Sequence, residues 1–186
     1  MHFTLEAQSR CRPWITQSSI AIDATAGNGF DTLFLAQRVG PLGHVYAFDL
    51  QADAIARTSQ RVADAGFSAR VTCIQADHAN LAEHIPKEHY GRVSCAMLNL
   101  GYLPHSDKSI VTKSHSTIRA LDALEAMLSS NSMLSILAYV GHPDGLQESL
   151  AVETWIDQRT ELFTSERLFD QNNPASPILW LLRRGP

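Results

Sequence analysis

Long hydrophobic runs are missing from this sequence. No stretch of 18 apolar residues occurs in the 186-residue chain, so no transmembrane helix is expected and no membrane partner. The opening residues, Met1 to Arg12, are polar and lack the apolar core of a secretory signal. Cysteine is scarce. Cys11, Cys73 and Cys95 are odd in number and form no Cys-x-x-Cys pair, which speaks against a disulfide scaffold and a multi-cysteine zinc site. No metal is expected, and the reducing cytoplasm is the expected compartment. An excess of positive charge is also absent. Fifteen Lys and Arg against 19 Asp and Glu leave a net charge of −4. A protein that grips nucleic acid by bulk charge is basic, so any such role needs a local patch. Repeats, low-complexity tracts and linkers are lacking too. The length amounts to a single domain over 1–186, at roughly 150 residues per domain. With 45% hydrophobic and 18% charged residues, it can bury one sizeable core.

What is present is an alternation of strand and helix patterns. Strands are read at 18–23, 44–49, 70–75, 93–98 and 133–140. Helical spacing falls at 30–39, 52–65 and 146–159, and in the stripe Ile118, Leu121, Leu124 and Leu128. Two final strands, 162–169 and 178–182, flank an Asn-Asn-Pro-Ala-Ser-Pro turn and can pair as a hairpin. Such alternation predicts an α/β fold: a mostly parallel, Rossmann-like seven-stranded sheet with helices on both faces and an antiparallel C-terminal hairpin. Ligands of such sheets bind beyond the carboxyl ends of the strands.

The polar motifs sit at those ends. Asp23-Ala-Thr-Ala-Gly27-Asn28-Gly29 follows the first strand and opens a helix. Glycines let the backbone approach a ligand closely. Asp49 ends the second strand, 20 residues after Gly29, where an acid accepts both ribose hydroxyls of a nucleoside cofactor. Asp77 follows the third strand and can accept from an adenine amine. A nicotinamide dinucleotide fits less well, because Thr32 stands at the third glycine place and no second domain exists to carry a substrate. An acidic pocket suits the sulfonium and ammonium of S-adenosylmethionine, which leaves as S-adenosylhomocysteine. Asp23 and the early turn can hold its amino-acid end.

Asn99-Leu100-Gly101-Tyr102 follows the fourth strand. It has the Asn-x-x-Tyr spacing of loops in amine N-methyltransferases. An Asn carbonyl can accept an amine N–H and aim the lone pair at a methyl group, while an aromatic ring stacks on a base. Positioning supplies most of such catalysis. An aliphatic ammonium, with a pKa of roughly 10, must first lose a proton. His142, His105, Asp107 and Asp144 are all candidate acceptors. The segment from Asn99 to His115, about 17 residues, is long for a loop and so points to function. Lys108, Lys113 and Arg119 give local positive charge suited to phosphate contacts. Ser116 reads as a helix cap. Arg10, Arg12, Arg183 and Arg184 read as solubility charges, and Cys73 and Cys95 as core residues.

Asp23 to Ala36, Phe48-Asp49-Leu50-Gln51, Asn99 to Pro104, Asp107-Lys108-Ser109-Ile110 and Tyr139-Val140-Gly141-His142-Pro143 together resemble the YtqB/MnmM-type methyltransferases. The resemblance runs from about Ser18 to Leu182. It implies a class I S-adenosylmethionine-dependent fold and methylation of 5-aminomethyl-2-thiouridine at the wobble position of tRNA, with the anticodon region as partner. It further implies that Asp23, Asn28, Asp31, Asp49, Gln51, Asp77 and His78 line the cofactor. Asn99, Tyr102, Lys108 and His142 would then face the wobble nucleotide. Phe30 departs from the histidine expected there, and the segment before the first strand reads as too short for a full N-terminal cover. Rival expectations are a methyltransferase of another RNA or a small amine, and a non-catalytic cofactor- or tRNA-binding module. A homodimer through an open sheet edge is a further expectation.

Overall fold

Phe3, Ala7 and Cys11 recur every fourth residue, so a helix over them presents one apolar stripe. In the computed structural model, which describes residues 2–101, 112–141, 144–173 and 175–185, that stripe is buried on helix α1 (Phe3–Cys11). There follow β1 (Ile20–Asp23), α2 (Phe30–Ala36), β2 (His44–Asp49), α3 (Ala52–Asp64), β3 (Val71–Gln75) and the one-turn α4 (Leu81–His84). The second half runs β4 (Val93–Leu100), α5 (Ser114–Met127), β5 (Leu128–Ala138), α6 (Gly145–Asp157), β6 (Phe163–Leu168) and β7 (Ile178–Arg184).

The strands form one seven-stranded sheet in the order β3-β2-β1-β4-β5-β7-β6. Pairing is parallel from β3 to β5, while β7 runs antiparallel to both β5 and β6. The expected doubly wound sheet and terminal hairpin are therefore present. Side chains alternate between faces along each strand. Ile22, Phe48, Leu98 and Ile136 point to a core shared with Leu121 and Leu124 of α5 and Trp155 of α6. Ala21, Val45, Cys95, Met97 and Leu137 point to the opposite core, with Phe34 and Leu35 of α2 and the stripe of α1. Asn99, two residues beyond Met97, thus belongs to the α1/α2 face. The winding direction reverses between β1 and β4, which opens a crevice above their carboxyl ends.

Several expectations need correction. β4 continues through Asn99 and Leu100, because they pair with Leu137 and Ala138 of β5. Asn99 is therefore held by a strand and does not follow one. β1 begins at Ile20, since Thr16 and Ser19 close a turn before it. β5 begins at Leu128, directly after α5. Its first residues, Ser129 to Asn131, are polar and carry no apolar signal. Ser116 lies inside α5, and its hydroxyl donates to the Lys113 carbonyl rather than capping the helix. Cys73 is only half-buried. Arg184 is structural: it donates to the carbonyls of Glu125 and Leu128 at the α5–β5 junction. Arg10 pairs with Glu6 and Glu166. Among the described residues no helix is long and apolar enough to cross a membrane.

Candidate active site

The turn after β1 is suspended between its neighbours. Ala24 N–H donates to Met97 of β4, and Ala26 N–H donates to Phe48 of β2. Gly27 and Gly29 take positive φ of 56° and 77°, which glycine adopts without strain. At Gly29 a Cβ would come within 2.9 Å of the Thr58 Cα on α3, so this glycine serves helix packing. Above the turn lies a cavity of about 900 Å³, within the range of small-molecule sites.

Of the expected cofactor residues, Gly27, Asn28, Asp31, Asp49, Gln51, Asp77 and His78 line this cavity, as does Asn99. Asp23 and Gly29 do not; they support it from behind. Asp49 accepts from the Gly27 N–H at 2.8 Å through Oδ2 and from the Gln51 N–H at 2.9 Å through Oδ1. Each oxygen keeps a second lone pair. Asp77 Oδ1 accepts from the Ala79 N–H at 2.9 Å, and its side chain is 40% exposed. The buried His78 ring has an Nε2 with no hydrogen-bond partner among the described residues. Burial lowers its pKa, against the pull of Asp77 and then Asp49. The neutral ring is therefore favoured, and His78 is among the residues that line the cavity.

Asp23 is fully buried. It accepts from the Thr32 hydroxyl at 2.6 Å and the Thr25 N–H at 3.2 Å. Burial, and then the charge of Asp31, raise its pKa from 3.8 to about 7. A carboxyl raised in this way favours folding below its unfolded value, and the contribution is lost as pH rises through about 7. Asp23→Asn is neutral at every pH. The expected result is a gain in stability over the parent that grows from pH 5 to pH 8, on the order of a few kcal/mol at most. Urea midpoints at both pH values check it; parallel pH profiles for parent and variant would refute it.

The transfer end is built around Asp31, on the first turn of α2. Its Oδ1 accepts from Gln8 Nε2 of α1 at 2.7 Å, and its Oδ2 accepts from Asn99 Nδ2 at 2.7 Å. The Asn99 backbone N–H is held by Thr25 Oγ1 at 2.6 Å. A carboxylate can only accept, so the Asn99 amide nitrogen must face it and Oδ1 remains an acceptor. Asp31 and Asn99, expected on different ligands, are thus hydrogen-bonded partners. His2, and Thr4, Leu5 and Gln8 of helix α1, contribute to the cavity wall. Sequence reading overlooked Gln8; the Phe3, Ala7, Cys11 stripe and the Glu6–Arg10 pair at i,i+4 were the available signals.

Phe30 sits at the rim, 59% exposed, with the Arg61 guanidinium 4.0 Å above its ring. Tyr139, another residue not foreseen as part of the site, also lines the cavity. Tyr102, Lys108 and His142 lie outside the described residues, as do His105 and Asp107. Gly101 and Thr112 are joined by reciprocal hydrogen bonds of 3.0 and 2.8 Å. Thr112 and Thr117 both donate to the buried Glu148 of α6, at 2.7 and 2.6 Å. Lys113 caps α5 away from the cavity lining. Arg119 is held on the surface by Asn80 at 3.1 Å. Asp144 starts α6 with a positive φ of 67°. Among the described residues no cluster of three or more His, Cys, Asp or Glu is gathered for a metal.

Comparison with known proteins places this geometry. A chloroplastic tRNA (mnm(5)s(2)U34)-methyltransferase of Arabidopsis thaliana is 35% identical over 182 residues, 89% of this chain. The chain spans 63% of that relative's length. A crystal structure of a "putative rRNA-methylase" from Clostridium thermocellum superposes with a TM-score of 0.91 at 32% identity, covering 97% of this chain and 96% of the other. A "putative methyltransferase" of Streptococcus mutans in complex with SAH follows at TM-score 0.85 and 27% identity, covering 97% of both chains. The fold is therefore the Rossmann-like class I methyltransferase fold. With its residues 45–182 matching the model of the family described as "Putative rRNA methylase", the chain belongs to that family.

Proposed function

We propose that this protein is an S-adenosylmethionine-dependent N-methyltransferase that converts 5-aminomethyl-2-thiouridine at the tRNA wobble position to 5-methylaminomethyl-2-thiouridine. The observation that carries the reading is the Asn99 carboxamide. It projects from β4 into the cavity, with its nitrogen committed to Asp31 and its oxygen left to accept. The tRNA methyltransferase from Arabidopsis supports the choice of substrate, and the relative solved with SAH supports the choice of cofactor.

The residues present fit that cofactor. Asp49 would take the ribose hydroxyls, Asp77 the adenine amine and His78 Nε2 a further polar edge. The Gly27-Asn28 turn would lie against the amino-acid end. When bound, the cofactor supplies an electrophilic methyl on a sulfonium, and S-adenosylhomocysteine is released. The chain's own contribution is placement. Asn99 Oδ1 accepts one N–H of the deprotonated substrate amine, which turns its lone pair into the cavity. Asp31 holds that carboxamide against rotation and Thr25 holds the Asn99 backbone, so little orientation is left to find in the transition state. Tyr102 and His142, the remaining candidates, would serve base stacking and proton removal. The partner is tRNA, engaged at its anticodon region.

The test is nucleoside analysis by mass spectrometry. Protein and S-adenosylmethionine are incubated with tRNA from cells lacking this activity. Conversion of 5-aminomethyl-2-thiouridine to its methylated form is expected. Intact cofactor binding with no newly methylated nucleoside would overturn the tRNA reading and direct the search to small amines.

A further inference from the structure

The main cavity does not end at the transfer site. It continues between α1 and α2, past Leu5, Leu33 and Phe34, to Gln37 and Arg38. There it meets a second cavity of about 390 Å³, lined by Arg12, Ile15, Thr16, Gln17, Gln37 and Arg38. Gln37 and Arg38 line both spaces. Phe30 opens α2 at the rim, and Arg38 lies in the turn just past the other end of that helix, which is about 9 Å long from Phe30 to Ala36 at 1.5 Å per residue. The second cavity thus lies at the opposite end of α2 from the rim and adjoins the main one at Gln37 and Arg38.

Two guanidinium groups share this small cavity. Among the described residues neither Arg12 nor Arg38 has a carboxylate partner, whereas Arg10, Arg159 and Arg167 do. Arg38 gives one N–H to the Phe34 carbonyl at 2.9 Å and lies 4.0 Å over the Phe34 ring. That contact fixes the plane of the group. Its Nε is buried with no partner among the described residues. The Arg12 side chain is exposed. Burial, then the neighbouring charge of Arg12, lower the Arg38 pKa: the two cations repel one another with no anion between them. In a chain of net charge −4, an acid-free pair of arginines beside hydroxyl and amide groups is a site for an anion.

We infer that Arg12 and Arg38, with Thr16 and Gln17, form a phosphate subsite for a backbone phosphodiester of the RNA strand flanking the nucleotide in the main cavity. This inference rests on the proposed RNA substrate. The groove fits a nucleic-acid strand because it pairs apolar walls and the exposed face of Phe30 with cations at its far end. Phosphate contacts of this kind set register and carry no base specificity.

The experiment measures binding of tRNA from cells lacking the activity, between about 50 and 250 mM KCl. Parent, Arg12→Gln, Arg38→Lys and Arg12→Gln/Arg38→Gln proteins are compared, with Lys87→Gln as a surface control. Neutralising Arg12 is expected to weaken binding about 5- to 10-fold and to reduce the salt slope by about one. The double variant should lose about one further unit. Arg38→Lys, which keeps the charge on a different donor geometry, should lose affinity with little change in slope. Calorimetric affinity for S-adenosylmethionine should not change in any of them, which also reports that each is folded. Unchanged slopes and affinities in Arg12→Gln and the double variant, with tRNA still bound and methylated, would overturn the subsite and leave the proposed reaction standing. Failure of the parent protein both to bind and to methylate tRNA would overturn the two together.

Discussion

On the proposed reaction, Asn99→Ala is expected to lower the rate of methyl transfer at saturating tRNA and cofactor by a factor on the order of 10² to 10³, with cofactor affinity nearly unchanged. The expectation follows from the division of labour at the β4 terminus. The Asn99 backbone is held by Thr25 and by its pairing to β5, so truncating the side chain leaves the strand and the Gly27 turn in place. What disappears is the acceptor proposed for the substrate N–H. Asn99→Asp should do no better. It sets a second carboxyl beside Asp31, and the pair must either repel or share one proton, so the fixed amide-to-carboxylate hydrogen bond is lost. Single-turnover rates and calorimetry of S-adenosylmethionine together check this. A rate within threefold of the parent in Asn99→Ala would remove Asn99 from the mechanism.

The second large effect concerns Asp31, a residue that acts through Asn99. Asp31→Asn keeps the size of the side chain but no longer compels the Asn99 nitrogen to face it. The carboxamide can then flip and offer its N–H groups to the amine, which is unproductive. A 10- to 100-fold fall in kcat is expected, with a smaller change in KM. Gln8→Ala, which removes only the outer hydrogen bond, should fall less, by roughly 3- to 10-fold. An independent signature accompanies Asp31→Asn. Asp31's charge is the second cause of the raised Asp23 pKa, so its loss lets that carboxyl drop toward its ordinary range. Stability should then fall less steeply between pH 5 and pH 8 than in the parent. An unchanged pH profile would mean that the Asp31 charge does not act on Asp23, and an unchanged kcat would remove Asp31 from the placement of Asn99.

Much of this arrangement was visible in the residues. Asp23, Asp49 and Asp77 stand at or just beyond strand ends because the apolar runs before them stop abruptly, and abrupt stops are legible. The terminal hairpin was legible because a Pro-containing turn separates two apolar runs. The extent of β4 was not, because Asn99 has poor strand propensity and is kept extended by its neighbour β5. Helix α1 was passed over because its surface is polar and its apolar stripe is only three residues. The functional pairing of Asp31 with Asn99 spans 68 residues. No local pattern encodes such a contact. It follows only once the alternation along β4 and the seating of α2 are combined.

The position of β7 bears on how the chain is made. The last strand in sequence lies inside the sheet, between β5 and β6. It is matched residue for residue from Ser132↔Arg184 to Ala138↔Ile178 on one side and from Phe163↔Arg184 to Leu168↔Leu179 on the other. Until Ile178 to Arg184 leave the ribosome, β6 has no neighbour and β5 presents an open, apolar margin. Synthesis from the N-terminus therefore yields β1 to β6 with a sticky seam that β7 closes. A premature stop shortly before residue 178 would remove an interior plank rather than a trailing end, and its product would be prone to self-association.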